Sequence, residues 1–463
     1  MIKSNSMNEN RRNFIKQAVI GTGLLLGNSV KAIDLESVKT INESLHTFHK
    51  QKFNMCGYRA PKLETVRIGF IGIGNRGIFN MTQMLYIEGI EVKALCDLRQ
   101  FRIDEAQKLL SDFKNPVACE YGGSPDAWKS VCEQSDIDLI MIAVPRGPLH
   151  AKISNYAMLC GKHVAVEVPA IATIDEAWQL VETSEKTKKH CTMLENCCYD
   201  FFELLTLNMI RQGLLGTIIH ADAAYIHHQN NFVKNRDGDM WRIEESQRHN
   251  GNLYPTHGLG PICQAMNINR GDRMTHMVSM SSNDFMMAEM ATEFAQKNPI
   301  YKYLATDTYR GNMNTSVIRT ERGRTIMLQY DTTSPRVYSR IYMVSGTKGA
   351  VQKYPFPERI SLGDDWVSEK EMENLTEKYM PEIVRRIGNM AKKIGGHGGM
   401  DFLMSWRLID CLRNGLPMDI DVYDAVAWSS IIPLSEWSVK HGSQPVLIPD
   451  FTCGSYRLNE PFV

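Results

Sequence analysis

The feature that most restricts this chain is a glycine-rich turn between an apolar strand and a helix pattern. Val66-Arg67-Ile68-Gly69-Phe70-Ile71 runs directly into Gly72-Ile73-Gly74-Asn75-Arg76-Gly77. A β-branched apolar run that ends in glycines predicts a buried parallel strand. Residues 80–88 follow as a helix, 91–97 as a second strand, 104–113 as a second helix and 137–145 as a third strand. A helix over 149–160, a strand over 163–167 and a helix over 174–186 extend the alternation. The predicted fold class is therefore α/β, opening with a Rossmann-type doubly wound parallel sheet.

The turn matches G-x-G-x-x-G in the context that gives the pattern meaning, strand before and helix after. Gly72 and Gly74 would let the backbone turn tightly and approach a pyrophosphate lying on the helix N-terminal amides. Asp97 closes the next strand about 20 residues on, where a carboxylate accepts from the ribose hydroxyls and disfavours a 2′-phosphate. The expected cofactor is NAD. The same glycines would also serve a plain tight turn with Asp97 as a surface acid, but the surrounding βαβ unit favours the dinucleotide.

Beyond residue 196 the rhythm changes. Residues 216–227, 315–319, 325–332 and 340–346 alternate over longer stretches, predicting a C-terminal α+β domain with an open, largely antiparallel sheet. The helix-like segment 399–414 and the apolar run 425–437 are expected to pack against that second domain. The organisation expected is a leader over 1–32, an arm over 33–60, a cofactor domain over 61–195 and a substrate-binding and oligomerisation domain over 196–463.

Lys plus Arg number 52 and Asp plus Glu number 52, so no net field exists to gather nucleic acid or an anionic membrane. A neutral small molecule fits better. Asn10-Arg11-Arg12-Asn13-Phe14, a short apolar run and Val30-Lys31-Ala32 resemble a twin-arginine export signal, which implies a periplasmic location. No later stretch is long and apolar enough to predict an integral membrane span in the mature protein. Eleven cysteines occur without a Cys-x-x-Cys pair, and thiols suit a route that exports folded proteins. His227 and His228 are strand neighbours facing opposite sides, so no metal site is expected.

Glu167-Val168-Pro169, with Val144-Pro145 and the glycine turn, resembles the Gfo/Idh/MocA oxidoreductase superfamily, whose members usually carry lysine where Val168 stands. The stretch Asn250-Gly251-Asn252-Leu253-Tyr254-Pro255-Thr256-His257-Gly258-Leu259-Gly260-Pro261 is more particular. Together with Met240-Trp241-Arg242, Tyr225-Ile226-His227 and Ser334-Pro335-Arg336-Val337-Tyr338-Ser339-Arg340 it resembles glycoside hydrolase family 109, the NAD-dependent α-N-acetylgalactosaminidases, from about Val66 to the Asp450 region.

That resemblance implies a hydrolase of glycoside substrates, assembled as a homo-oligomer. It places Asn75, Arg76, Asp97, Glu167, Val168, Asn196, Tyr254, Pro255, Thr256 and His257 at NAD positions, and Tyr225, Arg242, Tyr254 and Tyr338 at substrate positions. The family's Trp-x-x-His element is altered here to Arg146-Gly147-Pro148-Leu149-His150, with His150 one residue late for its cofactor contact. The implied chemistry recycles NAD through oxidation, elimination, hydration and reduction, an acknowledged exception to the two-carboxylate scheme. His257 is the expected base for the sugar C3 hydroxyl and Tyr225 for the C2 proton, with Arg242 holding substrate charge. Two other readings stay open: an NAD-dependent sugar or polyol dehydrogenase, which the absent lysine at Val168 disfavours, and a non-catalytic sugar or cofactor sensor, which His257 and the tyrosines disfavour.

Overall fold

A computed structural model describes residues 49–229, 241–306 and 308–461. The expected leader over 1–32, most of the arm and Met240 lie outside the described residues.

The first sheet is built from β1 (Val66–Ile71), β2 (Ile90–Cys96), β3 (Cys119–Tyr121), β4 (Leu139–Ile142), β5 (His163–Val166) and β6 (Cys191–Met193), in the order β3-β2-β1-β4-β5-β6. All its pairings are parallel. All four residues of β4 and five of the six in β1, all but Arg67, are buried, the pattern of strands covered on both faces. The covering helices include α1 (Asn75–Met84), α2 (Gln100–Asp112), α3 (Trp128–Glu133), α4 (Pro148–Leu159) and α5 (Ile174–Thr187). α5 starts at a capping box in which Thr173 and Glu176 satisfy each other's backbone N–H groups. α1 begins five residues before the expected 80–88 helix, because the glycine turn leads straight into it.

The second half opens with α6 (Phe201–Arg211), β7 (Ile218–Ile226), α7 (Trp241–Arg248) and α8 (Thr256–Ala265). It continues through β8 (Met274–Ser281), β9 (Asn314–Thr320), β10 (Thr325–Asp331), β11 (Met343–Gly346), β12 (Gly349–Gln352) and β13 (Arg359–Leu362). With Val446–Leu447 these strands form an eight-stranded sheet, β13-β12-β11-β7-β10-β9-β8 and the terminal strand, antiparallel except where β10 runs parallel to β7. The predicted mostly antiparallel second sheet is observed.

The late helices correct one expectation. Met400–Asn414 packs on α1 and on the turn Asn196–Tyr199, and Val422–Ser429 packs on α5, β6 and α8. Only Ile431–Lys440, the far part of the 425–437 run, lies on β8 of the second sheet. The first sheet ends with apolar helices still to cover, and the chain's end supplies them. Hydrogen bonds from Thr192 Oγ1 to Ile420 O (2.8 Å) and from Ala170 N to Ser429 Oγ (3.1 Å) tie this return in place.

Candidate active site

The strand order reverses between β1 and β4, so the loops after those two strands diverge and leave a crevice at their C-terminal ends. Three glycines shape its floor for different reasons. Gly72 has φ +85°, and a Cβ there would lie 2.7 Å from the Ala143 backbone. A Cβ on Gly77 would lie 2.0 Å from Gly72 O, so this glycine lets α1 close onto the turn. At Gly74 a Cβ would meet only Arg99 Nη2, at 3.5 Å. Internal packing therefore explains Gly72 and Gly77, whereas Gly74 faces open space at the end of a helix that no side chain caps. That is a cradle for an anionic group approaching the backbone, and it fits the pyrophosphate of a dinucleotide.

Asp97, at the end of β2, accepts from Ile73 N (2.8 Å), Arg99 N (3.0 Å) and Arg99 Nε (3.1 Å). Its carboxylate thus fixes the glycine turn as well as standing at the ribose position. Asn75 accepts from Arg102 (3.0 Å). Deeper in the crevice Glu167 accepts from Arg76 Nε and Asn80 Nδ2, both at 2.7 Å, and Arg76 reaches on to Asp401 (3.0 Å). Asp401 also accepts from Asn196 (3.0 Å) and faces His397 Nδ1 (2.5 Å). Burial opposes the ionised Asp401, but His397 and Arg76 outweigh it and hold the carboxyl below its ordinary range.

His150, expected at a cofactor contact, stands at the start of α4 beside the crevice. It is buried, with Nδ1 2.7 Å from Pro169 O and Nε2 2.9 Å from Val144 O, so both ring nitrogens face carbonyls of the strand ends. It acts here as a strut between the loops after β4 and β5. Val168 is buried beside it.

The sugar-side residues converge. Tyr225 ends β7, and its ring centroid lies 4.7 Å from Tyr254, 5.3 Å from His257 and 6.5 Å from Tyr338. Pro255 precedes α8, and Thr256 and His257 form its first turn. Gly258 lets that helix lie on β7, since a Cβ there would come within 2.7 Å of the Ala224 backbone. Gly260 does the same against Glu195, whose Cγ would be 3.1 Å from a Cβ. The result is that His257 Nδ1 stands 2.7 Å and 2.9 Å from the two oxygens of Glu195, whose side chain is fully buried. Burial alone would raise that carboxyl, but His257 outweighs it and the carboxyl is held below its ordinary range.

The Tyr225 hydroxyl is 3.0 Å from His227 Nδ1 and accepts from Gln229 Nε2 at 3.0 Å. Burial pushes the Tyr225 phenol well up, with Arg242 pulling the other way. Burial, then Arg242, keep His227 below its ordinary value and hence neutral. Arg242 stacks 4.4 Å over the Trp241 ring and stands 5.9 Å from Tyr254. Tyr338 accepts from Arg340 Nη1 (3.1 Å), which is itself held by Glu203 and Asp200.

Among the described residues Glu195, Cys197 and His257 form the one group with metal-ligand character. The Glu195–His257 spacing is that of a hydrogen bond, and burial raises the Cys197 thiol well above its ordinary value, so this is an oriented imidazole. Sequence reasoning missed Glu195, Asp401, Arg340 and Gln229. Only Glu195, an acid beside Asn196 at the end of β6, carried a signal that would have found it.

The arrangement can bind a dinucleotide and place a general base beside a cluster of hydroxyl and cationic groups. Residues 66–195 match the model of the oxidoreductase family with an NAD-binding Rossmann fold, and residues 199–458 match that of the glycosyl hydrolase 109 C-terminal domain. The chain is similar to solved structures of levoglucosan dehydrogenase with NADH (TM-score 0.63, 15% identity, 83% of this chain and 100% of that one). It is also similar to scyllo-inositol dehydrogenase from Lactobacillus casei (TM-score 0.59, 14% identity, 83% and 99%), which supports the fold. It is 47% identical over 412 residues to glycosyl hydrolase family 109 protein 2 of Phocaeicola vulgatus, covering 87% of this chain and 98% of that protein. It is 47% identical over 419 residues to the α-N-acetylgalactosaminidase of Bacteroides fragilis, covering 87% and 96%. The cofactor cradle, the buried Glu195–His257 pair and these matches agree: the chain belongs to glycosyl hydrolase family 109 and carries an NAD-binding Rossmann domain.

Proposed function

We propose that this glycosidase removes α-linked N-acetylgalactosamine, with His257 and Tyr225 as its proton-handling residues. The observation that carries the reading is His257 braced by the buried Glu195 while its other face meets the Tyr225 and Tyr254 rings. Gly74, the α1 N-terminus, Asp97, Arg76, Glu167 and Asn196 would hold NAD. When bound, NAD supplies a reversible hydride acceptor for sugar C3, which makes the C2 proton acidic.

His257 accepts the C3 hydroxyl proton through Nε2, and Glu195 stabilises the imidazolium that forms. Tyr225 starts as a neutral phenol because burial raises it, so it does not abstract the C2 proton as a standing phenolate. It instead passes its own proton to neutral His227, 3.0 Å away, as it takes the one from C2. Arg242, Tyr254 and Tyr338 hold the sugar and the charge developing on its oxygens.

The Arg11-Arg12 twin-arginine sequence supports export of the folded protein. Met280 and Val317 share the outer face of the second sheet and stay exposed, which supports a homo-oligomer. The reading is tested by incubating the protein with a chromogenic α-N-acetylgalactosaminide without added cofactor. Dye release with no accumulation of NADH is expected; stoichiometric NADH with an oxidised sugar favours a dehydrogenase instead.

A further inference from the structure

Tyr338 is tied to a buried charged group that the chemistry above does not use. Its oxygen accepts from Arg340 Nη1 at 3.1 Å, while Nη2 of the same guanidinium donates to Glu203 Oε1 (2.5 Å) and Asp200 Oδ2 (3.0 Å). Lys353 completes the group, donating to Glu203 Oε2 at 2.7 Å and to Asp200 Oδ1, with Glu358 at its edge, 3.6 Å from Lys353. Arg340 and Glu203 each leave 2% of their side chains exposed, and Lys353 4%. Two cations thus meet two carboxylates inside the protein. A buried ion group of this kind adds little stability over apolar packing, but it admits one geometry.

That geometry links the parts of the sugar site. Asp200 caps α6 by accepting from Phe202 N (3.2 Å), and α6 follows at once on the turn Asn196–Tyr199 beside Glu195. Arg340 O accepts from Ala224 N (2.8 Å), next to Tyr225 at the end of β7. The Tyr338 ring stands 5.1 Å from His227 and 6.5 Å from Tyr225. A guanidinium can only donate. With Arg340 on its oxygen, Tyr338 keeps its phenolic hydrogen for another acceptor, and among the described residues it meets none. We infer that Arg340 is a positioning residue that makes Tyr338 a one-way donor toward an oxygen of the bound sugar. Accepting from the guanidinium also polarises the O–H and strengthens its donation. The inference rests on the α-N-acetylgalactosaminidase reading above and gives the Tyr338 contact a direction.

A double-mutant cycle separates this role from a scaffold role. Lysine keeps the charge of Arg340 but replaces a planar fork with a point donor that cannot hold the carboxylates and the phenol together. R340K should lower kcat/KM for a chromogenic α-N-acetylgalactosaminide by on the order of tenfold in the wild-type background. Added to Y338F, it should lower it by no more than about twofold. Equal losses in the two backgrounds mean a scaffold role and overturn the proposal, as does R340K with wild-type activity. If R340K does not fold, a crystal structure of the wild type soaked with N-acetylgalactosamine decides. Tyr338 Oη should bond both Arg340 and a sugar oxygen; a Tyr338 that meets no sugar oxygen overturns the proposal. If the wild type cleaves no such glycoside, the glycosidase reading fails separately. The residue pair is then judged by NMR of protein with tyrosine isotope-labelled at Cζ. The Tyr338 line, identified by its absence from Y338F, should move in R340K, and an unmoved line overturns the proposal.

Discussion

His257 Nδ1 lies within 2.7 Å of Glu195 Oε1, a carboxylate with no exposed surface that Cys197 N also holds, at 3.1 Å. A buried carboxylate on one ring nitrogen fixes the tautomer that leaves the other free to accept a proton, and stabilises the imidazolium afterwards. Glu195→Gln keeps the shape and removes the charge. The expected result is a fall in kcat on the order of 10²-fold or more, with bound NAD unchanged. Wild-type turnover in this variant removes Glu195 from the mechanism.

The glycine turn makes a differential prediction. Gly72→Ala forces a Cβ into the Ala143 backbone at 2.7 Å with φ +85°, and should cost on the order of 1–3 kcal/mol of stability whether or not cofactor is present. Gly74→Ala adds a methyl to open space. Cofactor-free Gly74→Ala should melt like wild type and bind NAD much more weakly, read by thermal shift with and without NAD. Undiminished NAD stabilisation of Gly74→Ala contradicts the cradle.

His163 and His190 stack with ring centroids 5.2 Å apart inside the first domain, and the His190 N–H donates to His163 Nδ1 at 3.1 Å. Burial, then Lys189, lower His190 to about 4. The unfolded chain therefore takes up a proton near pH 6.5 that the folded chain refuses until about 4, and stability falls as pH drops through that window. The loss from His190 is about 3 kcal/mol at full effect. Urea unfolding at pH 7 and pH 4.5 measures it, and His190→Phe should shrink the difference without abolishing it, because burial also holds His163 well below its ordinary value.

The cofactor half was legible because local chemistry dictates it. A strand, a glycine turn and a helix must be contiguous in sequence to form one phosphate cradle, and they are. The late helices were misplaced because an apolar face predicts burial without saying against which sheet; Met400–Asn414 and Val422–Ser429 return to the first. His257, Tyr225, Tyr254, Tyr338 and Arg242 were legible through family resemblance, since their positions span more than a hundred residues. Asp401 was not, because its importance lies in Arg76 being brought to it by folding, and Glu195 offered only its place beside Asn196. The two carbonyls beside the His150 ring, Pro169 O and Val144 O, were not legible, because folding brings them from two different loops.

The central claim is that Tyr225 and His227 remove the sugar C2 proton during a hydrolysis with no net oxidation. Hydrolysis of a chromogenic α-N-acetylgalactosaminide in D₂O, followed by NMR of the released sugar, tests it most directly. The account predicts deuterium at C2 of the product, lost together with dye release in Tyr225→Phe. A product that keeps its original hydrogen at C2 through many turnovers contradicts it.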